Sequence, residues 1–181
     1  GPFAEMTLES MKEDLYFVCN QISQNYSPAK MILFGHSFGG MLSAVNAGKL
    51  GINGLVLLSP LGDPAGIINR RKDLIEAGPN SNGFYENGPH EMSITFLDAL
   101  QNLNPVKDFA ESFKGSLLLI QGDCDKSISV EESYLYIKAA QNNNISNEYH
   151  LIKGADHNYL RVSYVKEMLS TISMWAKEHV N

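Results

Sequence analysis

Residues 31–40 read MILFGHSFGG: an apolar run, a serine at 37 fenced by glycines 35 and 39, then a second apolar pattern. Ser37 either stands on a sharp strand-to-helix turn or lies in an ordinary glycine-rich loop. In a chain with 15 glycines a Gly-x-Ser-x-Gly string is too short to decide between them, so the flanking structure must.

Upstream, KMILF (30–34) suits a strand buried on both faces, and residues 38–50 downstream read as a helix closed near Gly51. Before the strand, Met11, Leu15, Val18, Cys19 and Ile22 repeat at helical spacing and predict a helix over 8–24, with Ser10 and Glu13 as a capping box. GLVLLS (54–59) is a second buried strand. Residues 60–90 are dense in Gly and Pro and read as irregular. Helices are expected within 91–101 and near 105–113. SLLLIQG (116–122) is the third buried strand, Ser129 and Glu132 open a helix to about 140, and EYHLI (148–152) is the fourth strand. QNNN (141–144) marks a turn, and a last helix carries Val165, Met168, Leu169, Ile172, Trp175 and Ala176 on one face.

Short apolar strands alternating with amphipathic helices imply a parallel sheet covered on both sides, joined by right-handed crossovers. Reactive groups in such sheets gather beyond the C-terminal ends of the strands. Ser37 follows the first strand, Asp123 and Asp125 the third, and His157, closing GADH, the fourth. One edge thus gathers a hydroxyl, a carboxylate and an imidazole in the chain order Ser, Asp, His. In such a set the imidazole takes the serine proton during attack on a carbonyl and later protonates the leaving group. The carboxylate holds the imidazole tautomer. Ser37 at a helix N-terminus would set the Phe38 N–H against a developing oxyanion, and Gly35 and Gly39 would leave room for the tight turn.

The totals bound the alternatives. A chain of 181 residues with 44% hydrophobic and 19% charged content is of globular type and long enough for one core. A net charge of −6, with no basic cluster beyond NRRK (69–72), argues against nucleic acid as a partner. No apolar run reaches the roughly 18 residues of a membrane span. The opening GPFAEMTLES lacks the pattern of a secretory signal, so a cytoplasmic protein is expected. Cys19 and Cys124 are far apart and read as free thiols. No His/Cys/Asp/Glu spacing suggests a metal, and no glycine pattern suggests a nucleotide cofactor.

GHSFGG after a buried strand, LLLIQGDCDKSISVEES and LIKGADHNYL together resemble the α/β-hydrolase superfamily on its esterase/lipase-like side. The resemblance implies an α/β fold, a three-layer α/β/α sandwich with a mainly parallel sheet, in which 1–181 is one domain with a cap insertion at about 62–112. It also implies the Gly-x-x-Asp pattern that gives the acid role to Asp125, three residues after Gly122. Asp123 is the alternative; Asp63, after the second strand, and Asp156, beside the base, are weaker ones. His36 reads as a packing or hydrogen-bonding residue, and His150 and His179 as structural or surface residues. His90 is the other histidine of interest.

The implied activity is cleavage of a small-molecule carboxylic ester through an acyl-enzyme, with no cofactor. A serine peptidase or thioesterase with the same three residues is the near rival, and a non-catalytic binding module the distant one. The insertion resembles the caps of feruloyl- or cinnamoyl-esterase-like and monoglyceride-lipase-like members. Phe84, Tyr85, Met92 and Phe96 are its pocket candidates, with ordinary packing the competing role. In one respect the chain departs from the family: a single helix precedes the strand that carries Ser37, where the family has several strands. A C-terminal part of a longer enzyme is therefore expected, with a missing N-terminal segment or self-association along the exposed sheet edge. The isolated 181-residue chain is expected to hydrolyse short p-nitrophenyl esters poorly.

Overall fold

The runs KMILF, GLVLLS and SLLLIQG have no polar alternation, so each needs apolar cover on both sides. In the computed structural model, which describes residues 3–87 and 89–179, they lie side by side. β1 (Ile32–His36), β2 (Gly54–Leu58), β5 (Ser116–Gly122) and β6 (Ser146–Ile152) form a parallel sheet in the order β1-β2-β5-β6. Every residue of β2 is buried, whereas β1 and β6 are half-exposed edges. The expectation that 30–34 is buried on both faces fails: Ile32 and Phe34 are exposed, since the last helix covers that side over β2, β5 and β6.

The two faces of the sheet have separate cores. Leu55, Leu57, Leu117 and Leu119 pack with Ala44 and Ala47 of α2 (Ser37–Ala47), Phe109 of α6 (Pro105–Ser112) and Tyr136 and Ile137 of α7 (Val130–Asn142). Val56, Leu58, Leu118, Ile120 and Ile152 pack on the other side with Trp175 of α8 (Val162–His179). Each such leucine contributes about 1.5–3 kcal/mol by leaving water. The three-layer, mainly parallel α/β architecture is thus present. His150 and His179 tie α8 to β6 through Glu167 and Glu148.

The chain divides into two compact units, Tyr26–Gly62 with Pro105–Asn181, which holds the sheet, and Gly1–Asn25 with Asp63–Asn104. In the second unit α1 (Leu8–Tyr26) starts two residues before the expected capping box. Thr7 and Ser10 exchange hydrogen bonds through their hydroxyls and backbone N–H groups, at 3.1 and 3.0 Å, so Thr7 is the cap and Glu13 takes no part. The Gly/Pro-rich stretch is more regular than its composition implies. It contains α3 (Pro64–Arg70), α4 (Lys72–Ala77) and an antiparallel hairpin of β3 (Phe84–Asn87) and β4 (His90–Ser93). Pro64 stands at the first turn of α3, where a missing N–H costs nothing, and the Asp63 carboxylate accepts from the Gly66 N–H at 2.9 Å. The helix expected within 91–101 begins only at Ile94 because Ser93 caps α5 (Ile94–Gln101). The 105–113 helix belongs to the sheet unit, where α6 packs on α2 and α7.

Candidate active site

β1 runs two residues further than its apolar letters suggest, because Gly35 and His36 stay extended and pair with Leu57 and Leu58. The chain then reverses into α2 at once. Ser37 takes φ +54, a left-handed conformation that costs a non-glycine residue about 1–3 kcal/mol, and its carbonyl accepts from the Leu61 N–H at 3.2 Å. A Cβ on Gly35 would lie 2.5 Å from the Gly39 carbonyl oxygen, so that glycine is required by close packing. Gly39 is a correction: a Cβ there meets nothing within 4 Å. The crowded partner is Gly40, whose Cβ would lie 3.1 Å from Pro60. Phe38 follows as the second residue of α2, in the turn whose N–H groups face the helix N-terminus.

The histidine arrives from the far side of the sheet, on the loop after β6. His157 Nε2 is 2.9 Å from Ser37 Oγ, and Nδ1 is 2.8 Å from Asp125 Oδ2. The Asp125 side chain is fully buried and that of His157 is 16% exposed. Burial pushes the Asp125 carboxyl up. The N–H of Ile128, the His157 ring, the Ser127 N–H and the Ser59 hydroxyl outweigh it and hold the group below the usual carboxylate range. The two backbone donors reach Oδ1 at 2.9 and 2.8 Å, and Gln121 Nε2 reaches Oδ2 at 3.2 Å. An ionised carboxylate only accepts, so His157 Nδ1 carries the proton and its Nε2 lone pair faces the serine hydroxyl. That arrangement can draw a proton off Ser37.

The other expected acids have other work. Asp123 Oδ1 accepts from the Gly154 N–H, Asp156 Oδ1 accepts from the Asn158 and Leu160 N–H groups, and Asp63 caps α3. Phe84, Tyr85, Met92 and Phe96 all lie in the hairpin unit, where Tyr85 pairs with Met92 across the strands and Phe96 is buried on α5. His90 opens β4 and is exposed. Cys19 and Cys124 are free thiols. Glu132, which with Ser129 opens α7, is buried, and its carboxylate accepts from the Gly62 N–H at 3.2 Å.

Sequence reasoning missed the support behind Asp125. Ser59, at the end of β2, has φ +40 and no exposed surface, and its hydroxyl lies 3.0 Å from the Tyr159 hydroxyl. Tyr159 also donates to the Ile120 carbonyl at 3.2 Å, and burial pushes its own ionisation up to about 12. No motif spacing marks Ser59, Gln121 or Tyr159; the one usable signal is a polar residue within an otherwise apolar strand.

Sheet, elbow and loops together define an α/β-hydrolase fold. The chain superposes on the esterase domain of a Rhodothermus marinus protein with a TM-score of 0.72 at 20% identity, over 94% of this chain and 70% of that one. Against mouse alpha/beta hydrolase domain-containing protein 10 the TM-score is 0.69 at 15% identity, over 97% and 71%. Against Porphyromonas gingivalis dipeptidyl peptidase 4 it is 0.63 at 12% identity, over 93% and 22%. Residues 66–181, well over half of the chain, match the prolyl oligopeptidase family, and the chain belongs to that family. The matched segment carries Asp125 and His157 and begins after Ser37. No curated protein matches the sequence.

Proposed function

We propose that the chain is a serine hydrolase that cleaves carboxylic esters through an acyl-enzyme. Ser37 is the nucleophile, His157 the general base and then acid, Asp125 the orienting carboxylate, and the Phe38 N–H an oxyanion donor. The observation that carries this reading is the unbroken path from Ser37 Oγ through His157 to Asp125.

As Oγ attacks the ester carbonyl, its proton passes to Nε2 and the imidazolium keeps its Nδ1–H on Asp125. The carbonyl oxygen becomes an oxyanion at the start of α2, where the helix dipole and N–H groups favour negative charge. When the intermediate collapses, Nε2–H protonates the departing alcohol and leaves an ester on Ser37. Water then attacks that ester and gives its proton to Nε2, and as the C–Oγ bond breaks Nε2–H returns a proton to Ser37 Oγ and the acid departs.

Esters are favoured as substrates by the likeness to an esterase domain. Peptide cleavage is the second reading, favoured by membership of the prolyl oligopeptidase family. A fluorophosphonate probe with Ser37→Ala as control tests the nucleophile; a folded wild-type protein that resists the probe overturns the reading. Aryl esters, aminoacyl amides and acyl thioesters assayed side by side test the substrate. The highest kcat/KM is expected on esters, and amide turnover exceeding it establishes the peptidase.

A further inference from the structure

His36 precedes the nucleophile in sequence yet holds the base. Its Nε2 is 2.9 Å from the backbone carbonyl oxygen of His157, 121 residues away, and the two rings lie with centroids 4.7 Å apart and planes tilted by 39°. The ring of Tyr159 meets His36 edge-on at 6.3 Å. A carbonyl only accepts, so His36 Nε2 must carry a proton. We infer that His36 is a positioning residue that fixes the backbone of His157 against the strand carrying Ser37. The inference rests on the reading of Ser37 and His157 as nucleophile and base.

The geometry explains why a tie is needed there. The loop from Gly154 to Tyr159 is bracketed by two left-handed residues, with φ +80 and +53. Its other backbone bonds run to its own stem or to the acid loop: Ala155 N–H to Ile152, Tyr159 N–H to Asp156, and Cys124 N–H to the Ala155 carbonyl. Those bonds set the imidazole against Asp125. The distance from His157 to Ser37 depends on two segments from opposite sides of the sheet, and the His36 bond joins them beside the reacting atoms. A misplacement of about 1 Å can cost on the order of 100-fold in rate, so a tie at this point has leverage.

The choice of histidine also suits the chemistry. The groups facing His36 are His157, Asp125 and Tyr159. Burial pulls the His36 ring below its ordinary value, the His157 backbone bond pushes it back up, the His157 ring lowers it and Asp125 raises it. A neutral ring donates the hydrogen bond without setting a positive charge beside an imidazole that must itself become positive. A lysine or arginine here would donate equally well and oppose that step.

The test compares His36→Leu, which cannot donate, with His36→Gln, whose amide N–H falls near the position of Nε2–H. The fluorophosphonate labelling rate of the full chain is measured across pH, with melting temperature as a check on folding. His36→Leu is expected to label about tenfold more slowly at every pH without moving the midpoint, and His36→Gln to recover to within about threefold. His36→Leu labelling at the wild-type rate, or a Gln variant as slow as Leu, overturns the inference. The tautomer of His36 in the wild-type protein, read from its ring 15N resonances, tests the same bond with neither a folded variant nor an active enzyme. A protonated Nε2 is expected, and a bare Nε2 overturns the inference. Absence of labelling in the folded wild type would instead overturn the nucleophile, leaving the tautomer to decide on His36.

Discussion

Two neighbouring strands of the sheet end on a serine in the left-handed region, Ser37 with φ +54 and Ser59 with φ +40. Ser37 turns into a helix with its hydroxyl against the imidazole, whereas Ser59 continues into Pro60 and is wholly buried. The Ser59 N–H still bonds the Ile120 carbonyl at 2.9 Å, extending the β2–β5 pairing beyond the strand. Its hydroxyl serves the carboxylate at the opposite end of the relay. Tyr159 donates to the Ile120 carbonyl, and the Ser59 hydroxyl lies within hydrogen-bond distance of the Tyr159 hydroxyl. One backbone device, a strained serine at a strand end, thus occurs at both ends of the hydrogen-bonded path from Ser37 through His157 to Asp125.

The comparison can be broken at either serine. Ser37→Ala should lower kcat by about 10⁶-fold, the scale seen when a hydrolase loses its nucleophile, read from burst kinetics and probe labelling. Asp125→Asn should cost about 10⁴-fold, because the amide favours the wrong imidazole tautomer. The same variant tests the electrostatics. The native carboxyl lies below its unfolded value. Its stabilising contribution is therefore complete above about pH 4 and lost as pH falls through the depressed native value. A plot of melting temperature against pH should be flatter below pH ~4 for Asp125→Asn than for wild type. Ser59→Ala should lower kcat about tenfold and leave KM unchanged, since one charge-assisted donor of several is removed. A loss as large as that of Ser37→Ala would place Ser59 among the reacting groups. The smallest effects separate the glycines: Gly35→Ala should destabilise by about 1–3 kcal/mol through overpacking. Gly39→Ala, which meets nothing, should be neutral or stabilising by up to about 1 kcal/mol in thermal unfolding, because alanine is the better helix former.

The same two serines measure how much of the molecule is legible in its letters. β2 and β5 are readable because burial on both faces leaves continuous apolar runs, and β5 falls on 116–122 as read. β1 is displaced because Gly35 and His36 look like turn residues while pairing as strand residues. The hairpin of β3 and β4 is hard to read because FYEN and HEMS are short and half polar, and the Gly and Pro letters around them read as loop. Ser37, Asp125 and His157, which His157 links by hydrogen-bond distances to each of the other two, are visible because each follows a strand end. Ser59 and Glu132 are not visible, because each finds its partner through the tertiary fold: Tyr159 lies 100 residues from Ser59, and Gly62 lies 70 from Glu132. Gln121 meets Asp125 only 4 residues on, but no motif spacing marks it.

The pairing of β5 with β6 does not stop where the strands do. The Asp123 N–H bonds the Ile152 carbonyl, the Cys124 N–H bonds that of Ala155, and the Gly154 N–H bonds the Asp123 side chain. Carboxylate and imidazole therefore ride on one splice, while the serine reaches them from the opposite edge strand, β1, with β2 between. Such a machine has a preferred way to fail. Warming should first uncouple the hydroxyl from a proton acceptor that is still assembled, so activity fades before the fold does and returns on cooling.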